Sequence, residues 1–269
     1  LLIIILMWCK NVNLKTYEGP KERNNRTVKA LTSSQIIQER IVRGKRAKRG
    51  MFPYVVGLST VFNKKGDLLL SICTGSIITT RWILSAAHCV SGENVIVEKV
   101  SYSVGEIDIR KKLRDILLFI IHPQYSYKKT NGGVNVIYDL SLLKTEKEIK
   151  YNNFINRVCM SRDLDVSGKC FAVGYGSLDN IHKEHALPNE ILYYATLEYK
   201  VFHKIYPGIL HIELDERYPS SGDSGGPLMC KGMLVGVCSM GATEGREAVM
   251  FYTAVDCFAN WIEETIKDK

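Results

Sequence analysis

The chain reads as an all-β protein ending in one helix, and the pattern of its apolar residues leads to that class. Its apolar runs are short, rich in β-branched residues and separated by clusters of Gly, Asn, Asp and Lys, as strands bounded by turns are. Tyr54–Phe62, Ser76–Leu84, Ile116–Ile121 and Met233–Met240 are the clearest examples. The exception is terminal: Val255, Phe258, Ile262 and Ile266 recur at helical spacing with charges between them. At 269 residues, 46% of them hydrophobic, the chain can bury one large core or two packed sub-cores.

In chain order, residues 1–9 (LLIIILMWC) come first. They are expected to be the apolar centre of a secretory signal peptide, too short to span a bilayer, which takes about 20 residues. Residues 10–40 then hold the sequon Asn25-Arg26-Thr27. The formal charge of +8 is uneven: residues 1–50 hold 12 Lys/Arg against 3 Asp/Glu, and the rest hold 24 against 25. That distribution argues against a broad nucleic-acid face. The run Arg43–Arg49 (RGKRAKR) reads as a solvated surface segment, with polyanion or membrane binding as the alternative.

Chemistry concentrates in three places. Residues 222–227, Gly-Asp-Ser-Gly-Gly-Pro, set Ser224 among glycines that let the backbone turn sharply and aim amides inward. An acyl-transfer nucleophile needs that arrangement, although alone it could be an ordinary Gly-rich turn. A serine needs a base, and His88 follows the apolar run Arg81–Ala87 just before Cys89. An orienting carboxylate should lie among apolar residues, as Asp139 does in Val-Ile-Tyr-Asp-Leu-Ser-Leu-Leu. The order His, Asp, Ser is one of the three known chain orders of such a triad.

Ala-Ala-His-Cys, Asp-Leu-Ser-Leu-Leu and Gly-Asp-Ser-Gly-Gly-Pro together resemble the trypsin/chymotrypsin-like serine protease family, and the resemblance runs from Ile41 to near the C-terminus. It implies two Greek-key β-barrels of six strands with the active site between them and a C-terminal helix. Residues 10–40 would be a propeptide removed on activation and residues 41–269 the protease domain. His88 would be general base and then acid, Asp139 its orienter, Ser224 the nucleophile, and the amides of Gly222 and Ser224 the oxyanion hole. Ser239, in a Ser-Met-Gly segment where the family usually has Ser-Trp-Gly, would hydrogen-bond Asp139. Gln38–Gly44 resembles the activation junction: cleavage after Arg40 by a tryptic protease would free the ammonium of Ile41 to pair with Asp223. The full chain would then be a secreted zymogen. Arg43 stands where glycine is commoner.

The resemblance also implies disulfides Cys73–Cys89 and Cys170–Cys230, with Cys159–Cys257 as a further pair. Cys238 is expected to be a free buried thiol and Cys9 to leave with the signal segment. His182-x-x-His185 lacks the paired spacing of a structural zinc site. The run from Glu106 to His122 is shorter than the trypsin calcium loop. No metal or cofactor is expected.

The primary pocket departs from the family. Tyr218 stands where trypsins carry the floor aspartate, Pro219 follows, and Ser220 replaces a cysteine. By the same resemblance Met240 would be a further pocket residue, Gly241 would keep the entrance open, and Met250 replaces a glycine on the far wall. Tyrosine and methionine carry no anion, so Arg/Lys specificity is not expected unless a shifted loop brings in Asp215 or Glu216. Two functions stay open: a secreted serine endopeptidase with a non-tryptic pocket, or a protease-fold regulatory or binding protein whose pocket is occluded. Partners would be protein or peptide substrates, the activating protease and protein inhibitors. The chain is expected to be a monomer without nucleic-acid binding or stable membrane insertion.

Overall fold

The computed structural model describes residues 44–130, 133–163, 169–176, 191–197, 202–205, 208–214, 222–244 and 247–269. Their strands, in chain order, begin with β1 (Lys45–Arg46), β2 (Val55–Lys64), β3 (Asp67–Ile77), β4 (Trp82–Ser85) and β5 (Ile96–Val104). There follow β6 (Arg114–Ile121), β7 (Ser126–Thr130), β8 (Gly133–Ile137), β9 (Ser141–Thr145), β10 (Cys170–Gly174) and β11 (Tyr193–Leu197). The last are β12 (Phe202–Ile205), β13 (Ile209–Leu214), β14 (Pro227–Cys230), β15 (Met233–Glu244) and β16 (Glu247–Ala254), before helix α1 (Val255–Asp268). The fold is all-β with a C-terminal helix.

Strands β2-β3-β4-β9-β6-β5 close into a six-stranded barrel. Its walls are short buried runs: β4 is buried throughout, and β2 opens on four buried residues. The β2–β3 hairpin turns through Lys65 (φ 55°) and Gly66 (φ 100°), the two-residue turn that suits the strand twist. The Ser76–Leu84 run is two strands, because residues 78–81 turn between β3 and β4. The second half builds an eight-stranded sheet in the order β1-β11-β10-β14-β15-β16-β13-β12, whose first edge is supplied by β1 from the N-terminal side.

One apolar cluster fills the barrel and continues through Met229, Leu234 and Val237 to Val255, Phe258 and Ile262 of α1. A second lies in the second half around Leu210, Ile212, Leu228 and Tyr252. Val255, Phe258, Ala259 and Ile262 are the buried face of α1, so the helical spacing in the sequence marks the side that docks on the core.

Disulfides join Cys73 to Cys89 and Cys170 to Cys230. The Cys159–Cys257 bond is not formed: Cys257 is an exposed free thiol on α1. Its helical position sets the Sγ against Gly208, where an added Cβ would stand 3.1 Å from it. Cys238 is buried and free. Among the described residues no helix is long and apolar enough to cross a membrane.

Candidate active site

The barrel supplies His88. After β4 the chain tightens into a short 3-10 turn, Ala87–Val90, and Cys89 within it is tied to Cys73 of β3. His88 is left half-buried at the surface of the turn. Ser141 Oγ donates to Ala86 O (2.8 Å), fixing the backbone just before it.

Asp139 lies between β8 and β9 and is 1% exposed. Its Oδ1 accepts the backbone N–H of His88 (3.0 Å) and its Oδ2 meets His88 Nδ1 at 2.7 Å. An ionised carboxylate only accepts, so Nδ1 carries the ring proton and Nε2 presents a lone pair. Ser239 Oγ donates to the same Oδ2 at 2.6 Å, and Thr253 Oγ1 donates to the Asp139 carbonyl at 3.3 Å. Burial pulls the His88 pKa down, but the charge and hydrogen bond of Asp139 outweigh it and leave the imidazole above its ordinary value.

The glycine-rich hexapeptide is held from both halves of the fold. Gly222 has φ +103° and Gly225 φ +77°, a region that side chains rarely adopt. A Cβ at Gly225 would stand 2.0 Å from Ser85 Oγ and 3.0 Å from Ala86 N, so the loop packs directly on the segment before His88. Thr74 of β3, fully buried, donates its N–H to Ser224 O (2.8 Å) and its Oγ1–H to Gly222 O (2.8 Å). The same Oγ1 accepts the N–H of Tyr175 at 3.1 Å. From below, Gly225 N donates to Cys238 O (2.7 Å) and Cys238 N to Gly226 O (2.9 Å). Ser224 itself stays partly exposed. Among the described residues, the amides of Gly222 and Ser224 make no hydrogen bond.

Asp223 is 3% exposed, and its Oδ1 accepts the N–H of Gly176 at 2.8 Å. A Cβ at Gly176 would lie 2.1 Å from Oδ2, so glycine alone admits the carboxylate there. Cys238 lies behind this loop, and burial, then the charges of Asp223 and Asp139, raise its thiol pKa far above the usual value. It is an inert filler.

Of the pocket residues, Met240 is half-buried, Gly241 exposed and Met250 3% exposed. Gly241 pairs with Met250 across β15 and β16, and a Cβ on Gly241 would stand 2.5 Å from Met250 Sδ. Arg40, Ile41, Arg43, His182, His185, Asp215, Glu216, Tyr218, Pro219 and Ser220 lie outside the described residues. Cys73, His88 and Cys89 approach within 4.8 Å, but the two sulfurs are bonded to each other and offer no thiolate. Glu106 is engaged by Lys112 (2.6 Å) and Arg49 (3.4 Å), which hold its carboxyl below the usual range.

Thr74 escaped the sequence reading, since its one visible mark is the neighbouring Cys73. Tyr138 did too: its φ of +54° turns the chain immediately before Asp139.

Comparison with known proteins gives a consistent set of relatives. The family model described as Trypsin matches residues 41–262. Cationic trypsin-3 of Rattus norvegicus is 26% identical over 239 residues, covering 85% of this chain and 90% of that protein. Serine protease 28 of Mus musculus is 29% identical over 256 residues (84% and 89%), and human kallikrein-12 is 26% identical over 247 (87% and 94%). The solved structure of neuropsin, a serine protease expressed in the limbic system of mouse brain, superposes with a TM-score of 0.62 at 21% identity, covering 83% of this chain and 98% of that one.

Proposed function

The chain belongs to the trypsin family of serine proteases, and on that footing we propose that it is a secreted serine endopeptidase made as a zymogen. The observation that carries the catalytic reading is the Asp139 carboxylate, which holds both the ring and the backbone N–H of His88 while Ser239 braces its Oδ2.

In this reading Ser224 Oγ attacks the scissile carbonyl carbon and its proton passes to His88 Nε2. The resulting oxyanion is received by the amides of Gly222 and Ser224. His88 returns the proton to the leaving amine as the C–N bond breaks, leaving an acyl ester on Ser224. Water then repeats the sequence, with His88 as its base, and releases the acid.

Activation follows from the junction. Cleavage after Arg40 frees the Ile41 ammonium to pair with Asp223, and a buried charge is tolerable only when it is paired. That ordering sets the backbone on either side of Ser224. Ile41→Gly and Asp223→Asn should each leave a folded protein with little turnover of a peptide ester. Full turnover by either would sink the switch. The buried, apolar Met250 beside Gly241 supports a non-tryptic primary pocket, and the two disulfides suit an oxidising, extracellular compartment. Protein substrates, an activating tryptic protease and protein inhibitors are the partners this implies.

The deciding experiment is covalent. After cleavage at residue 40, a fluorophosphonate should label wild type on Ser224 and leave Ser224→Ala and His88→Ala unlabelled. An unlabelled wild type would refute the enzyme.

A further inference from the structure

The turn that presents Asp139 is built on an unlikely residue type. Among the described residues, Lys65, Asn94, Lys112, Tyr138 and Lys231 take positive φ without being glycine. Four of them are exposed; Tyr138 alone is half-buried, and it alone carries a ring. A bulky side chain stays in the left-handed region only where its surroundings over-determine it.

The backbone beyond Tyr138 is closely held. Leu140 N–H donates to Tyr138 O at 2.8 Å, closing a three-residue turn with Asp139 at its centre. His122 N–H donates to Leu140 O at 3.0 Å, and Thr253 Oγ1 donates to Asp139 O at 3.3 Å. All three bonds lie downstream of the Tyr138 φ. Upstream, the pairing of β8 with β7 ends at Ile137↔Ser126. The strained angle is therefore the joint between the β7–β8 hairpin and the turn that carries Asp139.

The ring is what grips this joint. It stacks on His122 at 5.1 Å and 7°, and meets Phe258 of α1 edge-on at 5.8 Å and 80°. His122 is itself buried, with Trp261 of α1 against its ring at 4.6 Å. Rotation at Tyr138 would have to break this clamp. It would also swing the Asp139 carboxylate away from His88, whose backbone N–H it accepts at 3.0 Å and whose Nδ1 it meets at 2.7 Å.

We propose that Tyr138 is a positioning residue for the hydrolysis: its ring, clamped between His122 and Phe258, holds the strained joint that aims the Asp139 carboxylate at His88. This rests on the serine endopeptidase reading. Tyr138 acts through Asp139, and it makes the docking of α1 part of the alignment of His88.

The test uses the full chain with residues 36–40 replaced by an enteropeptidase recognition sequence and cleaved. Ester hydrolysis is followed across pH, with rates expressed per site labelled by a fluorophosphonate. Alanine and glycine both remove the ring, but glycine alone takes positive φ without strain. Tyr138→Ala should lower kcat by about 100-fold with KM nearly unchanged, as a small misplacement of a reacting group does. Tyr138→Gly should lose about tenfold less, the difference that a left-handed Cβ makes. In both, the acid midpoint of kcat/KM should move to lower pH, because the hold of Asp139 on the ring is what raises the His88 pKa. Tyr138→Phe restores the ring and should recover most of kcat and the wild-type midpoint. His122→Ala removes the stacking face, and its loss should not add to that of Tyr138→Ala, since the two share one clamp. Equal kcat for the Ala and Gly variants with an unmoved acid limb would show that the ring only packs the core, overturning this proposal and leaving the protease reading intact. Should the Ala variant not fold, a Gly variant with wild-type kcat and midpoint overturns it equally. If wild type takes no label on Ser224 and cuts no ester, the protease reading falls and this one with it.

Discussion

Asp139 engages both His88 nitrogens that face it and Ser239 as well, so its charge and its hydrogen bond act together on the imidazole. Burial alone would lower the His88 pKa, and the Asp139 charge and hydrogen bond more than reverse this. A base must be neutral to accept a proton. In the proposed mechanism kcat/KM should therefore fall on acidification with a midpoint above the ordinary histidine value of about 6.5. Asp139→Asn removes the raising influence and leaves burial, so the midpoint should move below 6.5 while kcat drops by about 10⁴-fold. A pH series of ester hydrolysis on both proteins checks this, and an unmoved acid limb would refute the assigned role. Ser239→Ala deletes one hydrogen bond to a charged acceptor. A bond of that kind contributes about 1.5–3 kcal/mol, so the expected loss is roughly tenfold or more in kcat, with KM nearly unchanged.

At the scale of elements, α1 reaches the segment that holds Asp139 through an aromatic stack. His122, at the end of β6, lies 5.1 Å from the Tyr138 ring at an interplanar angle of 7°, with Trp261 at 4.6 Å and Phe258 at 5.3 Å. Tyr138 is the residue with φ +54° just before Asp139, and a bulky side chain in that region is held there by its surroundings. The apolar face of α1 was legible in the sequence because period 3.6 is a local signal. The stack was not, because His122 and Trp261 meet only in the folded chain. His122 Nδ1 accepts the N–H of Gln124 (3.2 Å), and burial lowers the imidazole's pKa. The sign follows: the unfolded chain takes up a proton near pH 6.5 while folded His122 does not, so its contribution to stability is complete above 6.5 and lost as pH falls. His88 acts oppositely, stabilising below 6.5 and fading as pH rises through its raised pKa. His122→Phe keeps the ring and removes the titration. Its Tm should decline less than that of wild type between pH 6.5 and 5, and equal slopes would show that His122 does not titrate as described.

Across the whole molecule, the side chains proposed for catalysis stand out in the sequence because each sits in a short motif, whereas the bonds that bring the motifs together do not. Thr74 and Gly222 are 148 residues apart in sequence, and no local pattern announces a contact of that range. Cysteine positions had the same limit. Cys73–Cys89 and Cys170–Cys230 were expected and are present, but Cys159–Cys257 rested on position alone and is not formed. Thr74 is the point at which the barrel grips the glycine-rich loop of Ser224: one hydroxyl serves Gly222 O and Tyr175 N, and the backbone N–H serves Ser224 O. Thr74→Val preserves shape and β-branching but strands a buried carbonyl and a buried N–H, at about 1–3 kcal/mol each. For a chain of this size the Tm should fall by at least about 5 °C. The Gly222 carbonyl also anchors the backbone of the proposed oxyanion donors, so kcat should fall further than the folded fraction accounts for. Thr74→Ser restores the hydroxyl and should recover most of both. If Thr74→Val melts and turns over like wild type, the two halves are held in register by something other than this hydroxyl, and the covalent clasp next to it, Cys73–Cys89, becomes the element to remove.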